Sequence, residues 1–169
     1  DNGQPQVFAT IVGADGKKLR QKMLTQSKGE KSDVAVAFAS DGWLLAWVDE
    51  RHGDPEIYSA KFNRFFQRVG PERRLTNAAG AATGISMSSS GDRVLVAWAD
   101  ARDSEQPGSA DPYALWLKAQ DGSPIGSGQR VADFVAMMMR DILVDLGFLA
   151  PARLAVGVAV SKSMQRPAP

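Results

Sequence analysis

The stretch that decides the fold is "DVAVAFASDGWLLAWVDERHGDPEIYSAKF", residues 33–62. It contains three apolar segments, "VAVAFA", "LLAWV" and "EIYSAKF", and turn residues such as Ser-Asp-Gly and Gly-Asp-Pro separate them. Short runs of alternating apolar residues bounded by such turns are typical of half-buried antiparallel strands. A fourth segment, "ERRLT", follows at residues 72–76. Residues 33–78 therefore predict a unit of four antiparallel strands, which we call a, b, c and d.

This four-strand unit recurs along the chain. The segment "LLAWVDER" matches "VLVAWADAR" further on, and Trp47 and Trp98 in these segments lie 51 positions apart. Four antiparallel strands repeated at such a spacing are the signature of a β-propeller blade. The sequence therefore predicts an all-β protein, a β-propeller of about three blade equivalents in a single domain. The predicted parts are a half blade (1–27), two blades (33–78 and 82–132) and a divergent segment (133–169).

The divergent segment 133–169 allows three interpretations. Apolar residues from Val135 to Leu149 recur at helical spacing, which predicts a helical tail that ends before Pro151. Alternatively, "FVAMMM" is a strand a and "RLAVGVAV" a strand b, with an insertion between them. A third interpretation is a shifted reading frame after Phe134. The second, a divergent half blade, is the one we favour.

Composition excludes several classes of protein. With 169 residues the chain is long enough for one domain with a real core. It has 20 Lys and Arg against 19 Asp and Glu, so no overall charge attracts it to nucleic acid or an anionic membrane. It has no cysteine, which excludes disulfides and thiolate chemistry. No apolar run reaches the roughly 18 residues of a membrane-spanning helix.

One segment carries a resemblance to a known family. The stretch "ERHGDPEIYSAKFNRFFQRVGPERRLTNAAG" (50–80) resembles the blades of bacterial TolB-like propellers. Their repeat runs Arg-x-Gly-x-Pro-x-Ile-Tyr, continues through a turn to Arg-Leu-Thr-Asn, and reaches the next strand through an Asp-Gly or Ser-Gly turn. The similarity extends over residues 1–132. It implies a bacterial scaffold that binds a protein or ligand and catalyses nothing itself, and it favours a periplasmic or secreted location.

Two Asp–Arg pairs are candidate ligand-binding residues. Asp49 and Arg51 in "WVDER" correspond to Asp100 and Arg102 in "WADAR". Residues two apart on a strand lie on the same face, so these pairs could form a charged ring at one rim that holds a sugar, a carboxylate or a partner loop. The structural alternative is that each Asp bonds the backbone of the b–c turn and each Arg pairs with it locally. Residues repeated in every blade favour that alternative.

The four tryptophans divide into two groups. Trp47 and Trp98 recur at matched positions, which predicts core packing between blades rather than a sugar-stacking platform. Trp43 and Trp116 do not recur at matched positions. We therefore expect either of them to be an exposed platform for a ligand.

Catalytic and metal-binding patterns are absent from the sequence. The single histidine, His52, lies in the loop "RHGD" and is expected to be a solvated turn residue. No His-x-x-x-His, calcium loop, Gly-x-Ser-x-Gly or phosphate-binding loop occurs. Both tyrosines, Tyr58 and Tyr113, lie on predicted c strands. We expect no metal, no cofactor and no enzyme, but a non-enzymatic binding scaffold acting through rim loops. An oligomeric carbohydrate-binding lectin is the alternative.

The order of the strands also suggests an oligomer. The chain opens with "DNGQPQVFATIV", which corresponds to a b–c loop and a strand c. Strands c and d at the start and strands a and b in 133–169 would share one composite blade, which hides the open edges. Three blades fall short of the roughly four to eight that close a ring. We therefore expect a homodimer that completes a six-bladed ring, the rival being a fragment of a longer propeller.

Overall fold

The chain forms antiparallel β-sheets in a computed structural model, which describes residues 5–103 and 109–131. The strands, in chain order, are β1 (Phe8–Val12), β2 (Lys18–Met23), β3 (Lys31–Ala39), β4 (Gly42–Asp49), β5 (Glu56–Asn63), β6 (Arg73–Arg74), β7 (Ala82–Ser90), β8 (Arg93–Asp100), β9 (Asp111–Lys118) and β10 (Pro124–Arg130). The predictions made for residues 133–169 lie outside the described residues.

The strands assemble into three sheets that follow chain order. β1 and β2 form a two-stranded sheet, here called the amino-terminal hairpin. Strands β3 to β6 form sheet 1 and strands β7 to β10 form sheet 2, each with sequential neighbours paired antiparallel. The all-β class and the two four-stranded units are therefore confirmed. These sheets do not by themselves make the closed ring of a propeller.

The last strand of sheet 1 is shorter than predicted, because a side chain takes over part of its pairing. The sequence predicts strand d over residues 72–76, but β6 comprises only Arg73–Arg74. Beyond it the backbone N–H of Ile57 donates to the hydroxyl of Thr76 at 2.8 Å instead of to a backbone carbonyl. The hairpin repeats this device, since the N–H of Val7 donates to the hydroxyl of Thr25 at 2.9 Å.

Sheet 1 lies between the other two sheets. One of its faces packs against sheet 2, and Leu44 and Ile57 meet Val96 and Leu115 in that core. The other face carries Trp47 and other buried residues and packs against the hairpin. The order along the stack is therefore hairpin, sheet 1, sheet 2.

A buried lysine joins sheet 1 to sheet 2. The Nζ atom of Lys61 donates to the carbonyl oxygens of Ala39 at 2.5 Å and Ala119 at 2.8 Å, and the side chain is 2% exposed. Burial lowers the pKa of Lys61, although the carboxylate of Asp41 acts in the opposite direction. At the matched position of sheet 2 stands Trp116.

Candidate functional site

Asp49, the last residue of β4, is the centre of a hydrogen-bond cluster at the b–c turn. Its Oδ2 accepts from Trp47 Nε1 at 3.1 Å and from Arg51 Nη2 at 2.5 Å, while its Oδ1 accepts from the backbone N–H of Arg51 at 2.9 Å. The carboxylate is fully buried. A buried charge is stable only when it is paired and hydrogen-bonded, and these contacts meet that need.

The same cluster occurs in sheet 2. Asp100 Oδ2 accepts from Trp98 Nε1 at 2.8 Å and from Arg102 Nη2 at 2.5 Å, and Asp100 Oδ1 accepts from the backbone N–H of Arg102 at 3.0 Å. The repeated Trp-x-Asp-x-Arg motif thus builds one constellation twice. Its contacts are those of the structural alternative, in which the Asp fixes the turn and the Arg pairs with it. Arg51 and Arg102 lie beyond the ends of β4 and β8. The expectation that each Asp and Arg share one face of a strand therefore does not explain their position.

The cluster of sheet 1 has additional partners. Arg51 Nη2 also donates to Glu72 at 2.5 Å, so this guanidinium bridges two carboxylates. Ser27 donates to Asp49 Oδ2 at 3.1 Å, and the buried Nζ of Lys31 lies 3.7 Å from the same oxygen. Asp49 therefore ties together strand b, the b–c turn and the connection from the hairpin to sheet 1.

Hydrogen bonding holds the Asp carboxylates ionised. Burial would raise the pKa of Asp49, but hydrogen bonds from Arg51 and Trp47 outweigh it and lower the pKa to about 2. The pKa of Asp100 is lowered by the same balance of burial against bonds from Arg102 and Trp98. Both groups are anions over the physiological range, and neither carries a proton to donate in acid–base catalysis.

Each arginine of the two clusters also covers a tyrosine ring. The guanidinium carbon of Arg51 lies 4.1 Å from the ring centroid of Tyr58, and that of Arg102 lies 4.7 Å from the ring centroid of Tyr113. The Tyr58 hydroxyl lies 2.5 Å from Nδ1 of His52, whose side chain is exposed as expected. Cation–π contacts of this kind stabilise the turn and cover the ring face.

The two tyrosines should titrate at unusually high pH. Burial raises the pKa of Tyr58, and burial together with the hydrogen bond to Asp103 raises the pKa of Tyr113 to about 12. We expect an absorbance titration of the folded protein to show both phenols ionising above 10, and Tyr113→Phe to remove the step near 12. A phenol that ionises at its ordinary pKa in the folded protein would contradict the described contacts.

The repeated tryptophans are core residues, as predicted. Trp47 is 1% exposed and packs against the hairpin, and Trp98 is 3% exposed and packs against sheet 1. Trp43 and Trp116, the expected platforms, are both half-buried. Trp116 lies on the face of sheet 2 that points away from sheet 1, because its neighbour Leu115 points into the core between the sheets.

Trp43 belongs to an aromatic cluster that the sequence patterns did not reveal. Its ring stacks on that of Phe66, with centroids 5.6 Å apart and an interplanar angle of 9°. Phe38 meets the same ring edge-on, with centroids 4.9 Å apart. Phe65 precedes Phe66 in the c–d turn and is 60% exposed. We call Phe38, Trp43, Phe65 and Phe66 the aromatic rim cluster, since it lies where the a–b and c–d turns of sheet 1 meet.

The c–d turn holds Phe66 in an unusual backbone conformation. Its φ is +56°, in the left-handed region where a bulky residue is an outlier. Asn63 fixes the turn: its Oδ1 accepts from the backbone N–H groups of Phe65 at 2.9 Å and Gln67 at 3.0 Å. The Nε1 of Trp43 is buried without a hydrogen-bond partner in the described structure. Strain and an unsatisfied polar atom thus coincide at one cluster.

A small cleft adjoins this cluster. It has a volume of about 260 Å³ and lies between the hairpin and the c–d turn of sheet 1. Its walls include Met23, Phe62, Phe66, Arg68 and Glu72. Arg68 and Glu72 are paired at 3.2 Å. With Lys22, Gln26 and Ser27 they make one side of the cleft polar, whereas Met23, Leu24, Phe62 and Phe66 supply its apolar part.

The aromatic rim cluster occurs in sheet 1 alone of the two four-stranded sheets. The positions that match Phe38 and Trp43 in sheet 2 are Ser89 and Val94, and its c–d turn has Asp121 and Gly122 in place of aromatic residues. Residues that recur in each sheet serve the sheet, whereas these do not recur. The adjacent phenylalanines in the otherwise polar "NRFFQR" were the available sequence signal.

Comparison with known proteins gives no relative on which to base a function. No protein-family model, curated protein or solved structure matches this chain. Over residues 5–103 and 109–131, no group of three or more His, Asp or Glu side chains is arranged to hold a metal ion. In the same ranges no helix has the length and apolar character to cross a membrane.

Proposed function

We propose that the three sheets are successive blades of a β-propeller related to the TolB-like repeat. The serial stacking of hairpin, sheet 1 and sheet 2 supports this arrangement, because sheet 1 buries one face on the hairpin and the other on sheet 2, as a blade does between its neighbours. The repeated Trp–Asp–Arg constellation supports it too, since stacked repeats place equivalent residues in equivalent surroundings.

The proposed function is binding, and the observation that carries it is the aromatic rim cluster. An exposed group of large apolar side chains at a loop-built rim is typical of an interaction surface. Phe66 holds its ring on Trp43 from a backbone conformation that costs of the order of 1–2 kcal/mol. Such strain is characteristic of functional sites, where the fold tolerates it for the position of one side chain.

The partner that fits this surface is a protein. The adjoining cleft, at about 260 Å³, is smaller than the roughly 300–1,000 Å³ typical of sites for drug-sized ligands. One apolar or aromatic side chain of a partner can pack there on Phe62 and Phe66, and Phe38 and Phe65 are two further exposed aromatic side chains of the cluster. Aromatic residues are the commonest source of binding energy in protein interfaces. The partner therefore presents an apolar side chain on a peptide segment that lies across the c–d turn.

The variant Phe66→Gly separates binding from folding. Glycine accepts a positive φ without strain, which offsets the lost stacking on Trp43, so we expect the midpoint of thermal unfolding to change little. Binding should be lost. The measurement is selection of a phage-displayed peptide library on the wild type, followed by titration of the enriched peptides against the variant.

Ser40→Gly is the matched control. Ser40 also has a positive φ, of +59°, in the a–b turn, and its substitution relaxes the backbone without removing an aromatic ring. The enriched peptides should bind this variant as they bind the wild type. Peptides that bind Phe66→Gly undiminished, or a library from which no apolar peptide is enriched, would refute the proposed surface.

We propose further that the chain is not an enzyme. In the described residues, His52 with Tyr58 and Asp103 with Tyr113 are each a possible base hydrogen-bonded to a possible nucleophile. An activated phenol needs a lowered pKa, but burial raises the pKa of both Tyr58 and Tyr113. The carboxylates of Asp49 and Asp100 accept hydrogen bonds from Arg51 and Arg102 at the b–c turns. These four side chains thus have a structural role. Their proposed role is to fix the b–c turns, which lie at the ends of β4 and β8 opposite to the a–b turns.

A carbohydrate-binding lectin is the second candidate, and the position of Trp116 favours it. This half-buried ring lies on the outward face of sheet 2, where Leu95 and Ile125 are its cross-strand neighbours. A glycan array probed with the wild type, Trp43→Ala and Trp116→Ala decides between the two. Glycan binding that either variant abolishes favours the lectin, whereas a flat array together with Phe66-dependent peptide binding favours the protein-binding scaffold.

A further inference from the structure

Both ends of the stack carry an apolar patch. The outward face of the hairpin exposes Phe8, Val12, Leu19 and Met23, which we call the amino-side patch. The outward face of sheet 2 carries Leu95, Trp116 and Ile125, which we call the carboxyl-side patch. In the carboxyl-side patch Ile125 is exposed and Leu95 and Trp116 are half-buried. Neighbouring apolar side chains that a sheet face leaves accessible are characteristic of an interaction surface.

The amino-side patch points away from sheet 1. Val7 and Leu24 of the hairpin are buried against sheet 1. Because side chains alternate along a strand, Phe8 and its cross-strand partner Met23 point to the opposite side. Phe8 is 52% exposed and Met23 is 39% exposed.

The carboxyl-side patch is a row across three strands. Leu95 pairs with Trp116, and Trp116 pairs with Ile125, so the three side chains lie side by side on one face. Val94 and Val96, the neighbours of Leu95, point into the core shared with sheet 1. The row therefore faces away from sheet 1, and Ile125 is 36% exposed there.

Each patch corresponds, one repeat away, to residues that are buried between neighbouring sheets. Phe8 follows Pro5 as Tyr58 follows Pro55, and Tyr58 is buried against the preceding unit. Leu95 matches Leu44 across the repeat, and Leu44 is buried against the following unit. The amino-side patch thus has the chemistry of a surface that packs on a carboxyl-side patch.

We propose that a second copy of this chain covers the carboxyl-side patch with its amino-side patch, head to tail. A contact between two different patches closes when two copies make it reciprocally, which gives a two-chain ring. A second copy is the occupant because the contact continues the packing that joins sheet 1 to sheet 2. This inference rests on the propeller arrangement proposed above, and it assigns the surfaces through which the ring closes.

Charge substitutions in each patch test the proposal. Light scattering on the wild type should give twice the mass of one chain. Phe8→Asp and Ile125→Lys, each at an exposed position, should each give the mass of a single chain with an unchanged circular dichroism spectrum. Val69→Asp is the matched control, since Val69 is 48% exposed and lies outside both patches. It should remain a dimer.

Mixing the two charge variants distinguishes a head-to-tail contact from a symmetric one. In a mixed pair one contact is wild type and the other sets the new carboxylate against the new ammonium, so an equimolar mixture should recover the dimer mass. A wild type with single-chain mass, a dimer that survives Ile125→Lys, or a mixture that stays monomeric overturns the proposal. If Phe8→Asp unfolds, Leu19→Asp replaces it on the same patch.

The outcome is separable from that of the proposed function. Peptide binding by the aromatic rim cluster is measured on the same variants, and neither Phe8 nor Ile125 belongs to that cluster or lines its cleft, although Met23 lies both in the amino-side patch and in the cleft wall. Monomers that bind the enriched peptides leave the binding function standing and reject only the ring. Dimers that bind no peptide support the ring and reject the binding function.

Discussion

Asp49→Ala should destabilise the protein by about 3–5 kcal/mol, because it leaves a buried charge cluster without its centre. The substitution removes the acceptor of Trp47 Nε1 and both hydrogen bonds of Arg51 to this carboxylate. It also leaves Lys31, whose side chain is 1% exposed, without its nearest anion. Urea unfolding followed by tryptophan fluorescence measures the free energy of unfolding for the variant and the wild type.

The control for this experiment is Asp92→Ala. The side chain of Asp92 is 94% exposed, so its loss should change the free energy of unfolding by less than about 0.5 kcal/mol. If Asp49→Ala lowers the free energy of unfolding as little as Asp92→Ala does, the Trp–Asp–Arg constellation does not hold the turn.

The same cluster predicts how stability depends on pH. The pKa of Asp49 in the folded protein is about 2, below its ordinary value of 3.8. A carboxyl whose pKa is lowered by folding adds stability that is complete above the ordinary value and is lost as pH falls through the folded value. The wild type should therefore lose stability between about pH 4 and 2, and Asp49→Asn should show a shallower loss over that window.

The repeat explains why much of the architecture could be predicted. Alternation in "VAVAFA" and the dense apolar run "LLAWV" are local signals, and their recurrence after Gly80 confirmed them within one chain. The burial of Trp47 and Trp98 followed from the same recurrence, since a residue that serves each sheet is a packing residue. A sequence repeat reveals the features that neighbouring sheets have in common, and the strand order and the buried tryptophans are such features.

The aromatic rim cluster was missed because it does not recur in the second sheet. Phe66 reaches Trp43 only because Asn63 closes the c–d turn and holds a phenylalanine at positive φ. No periodic pattern encodes that conformation, and propensity disfavours it. The adjacent phenylalanines of "NRFFQR" mark this turn in the sequence, but the pattern does not show that one of them stacks on Trp43.

Gly42 shows a second limit of sequence patterns, because its role is steric rather than conformational. Gly42 and Gly91 both close an a–b turn and read alike in the sequence. Gly91 has a positive φ of +57°, as a turn glycine often does. In sheet 1 the positive φ belongs to Ser40, and Gly42 instead lies against β5, where an added Cβ would stand 2.1 Å from the carbonyl oxygen of Phe62.

Gly42→Ala should therefore be among the most damaging single-methyl substitutions in the described sheets, at about 3 kcal/mol or more. The clash is with backbone atoms of Phe62 and Asn63, which cannot move without separating β4 from β5 at the pair Gly42–Asn63. Gly91→Ala is the control: an added Cβ there meets open space, so only the left-handed backbone opposes it, at about 1–2 kcal/mol. The midpoints of thermal unfolding of the two variants show which substitution destabilises the protein more. Equal costs would mean that β4 and β5 approach less closely at this turn than their pairing indicates.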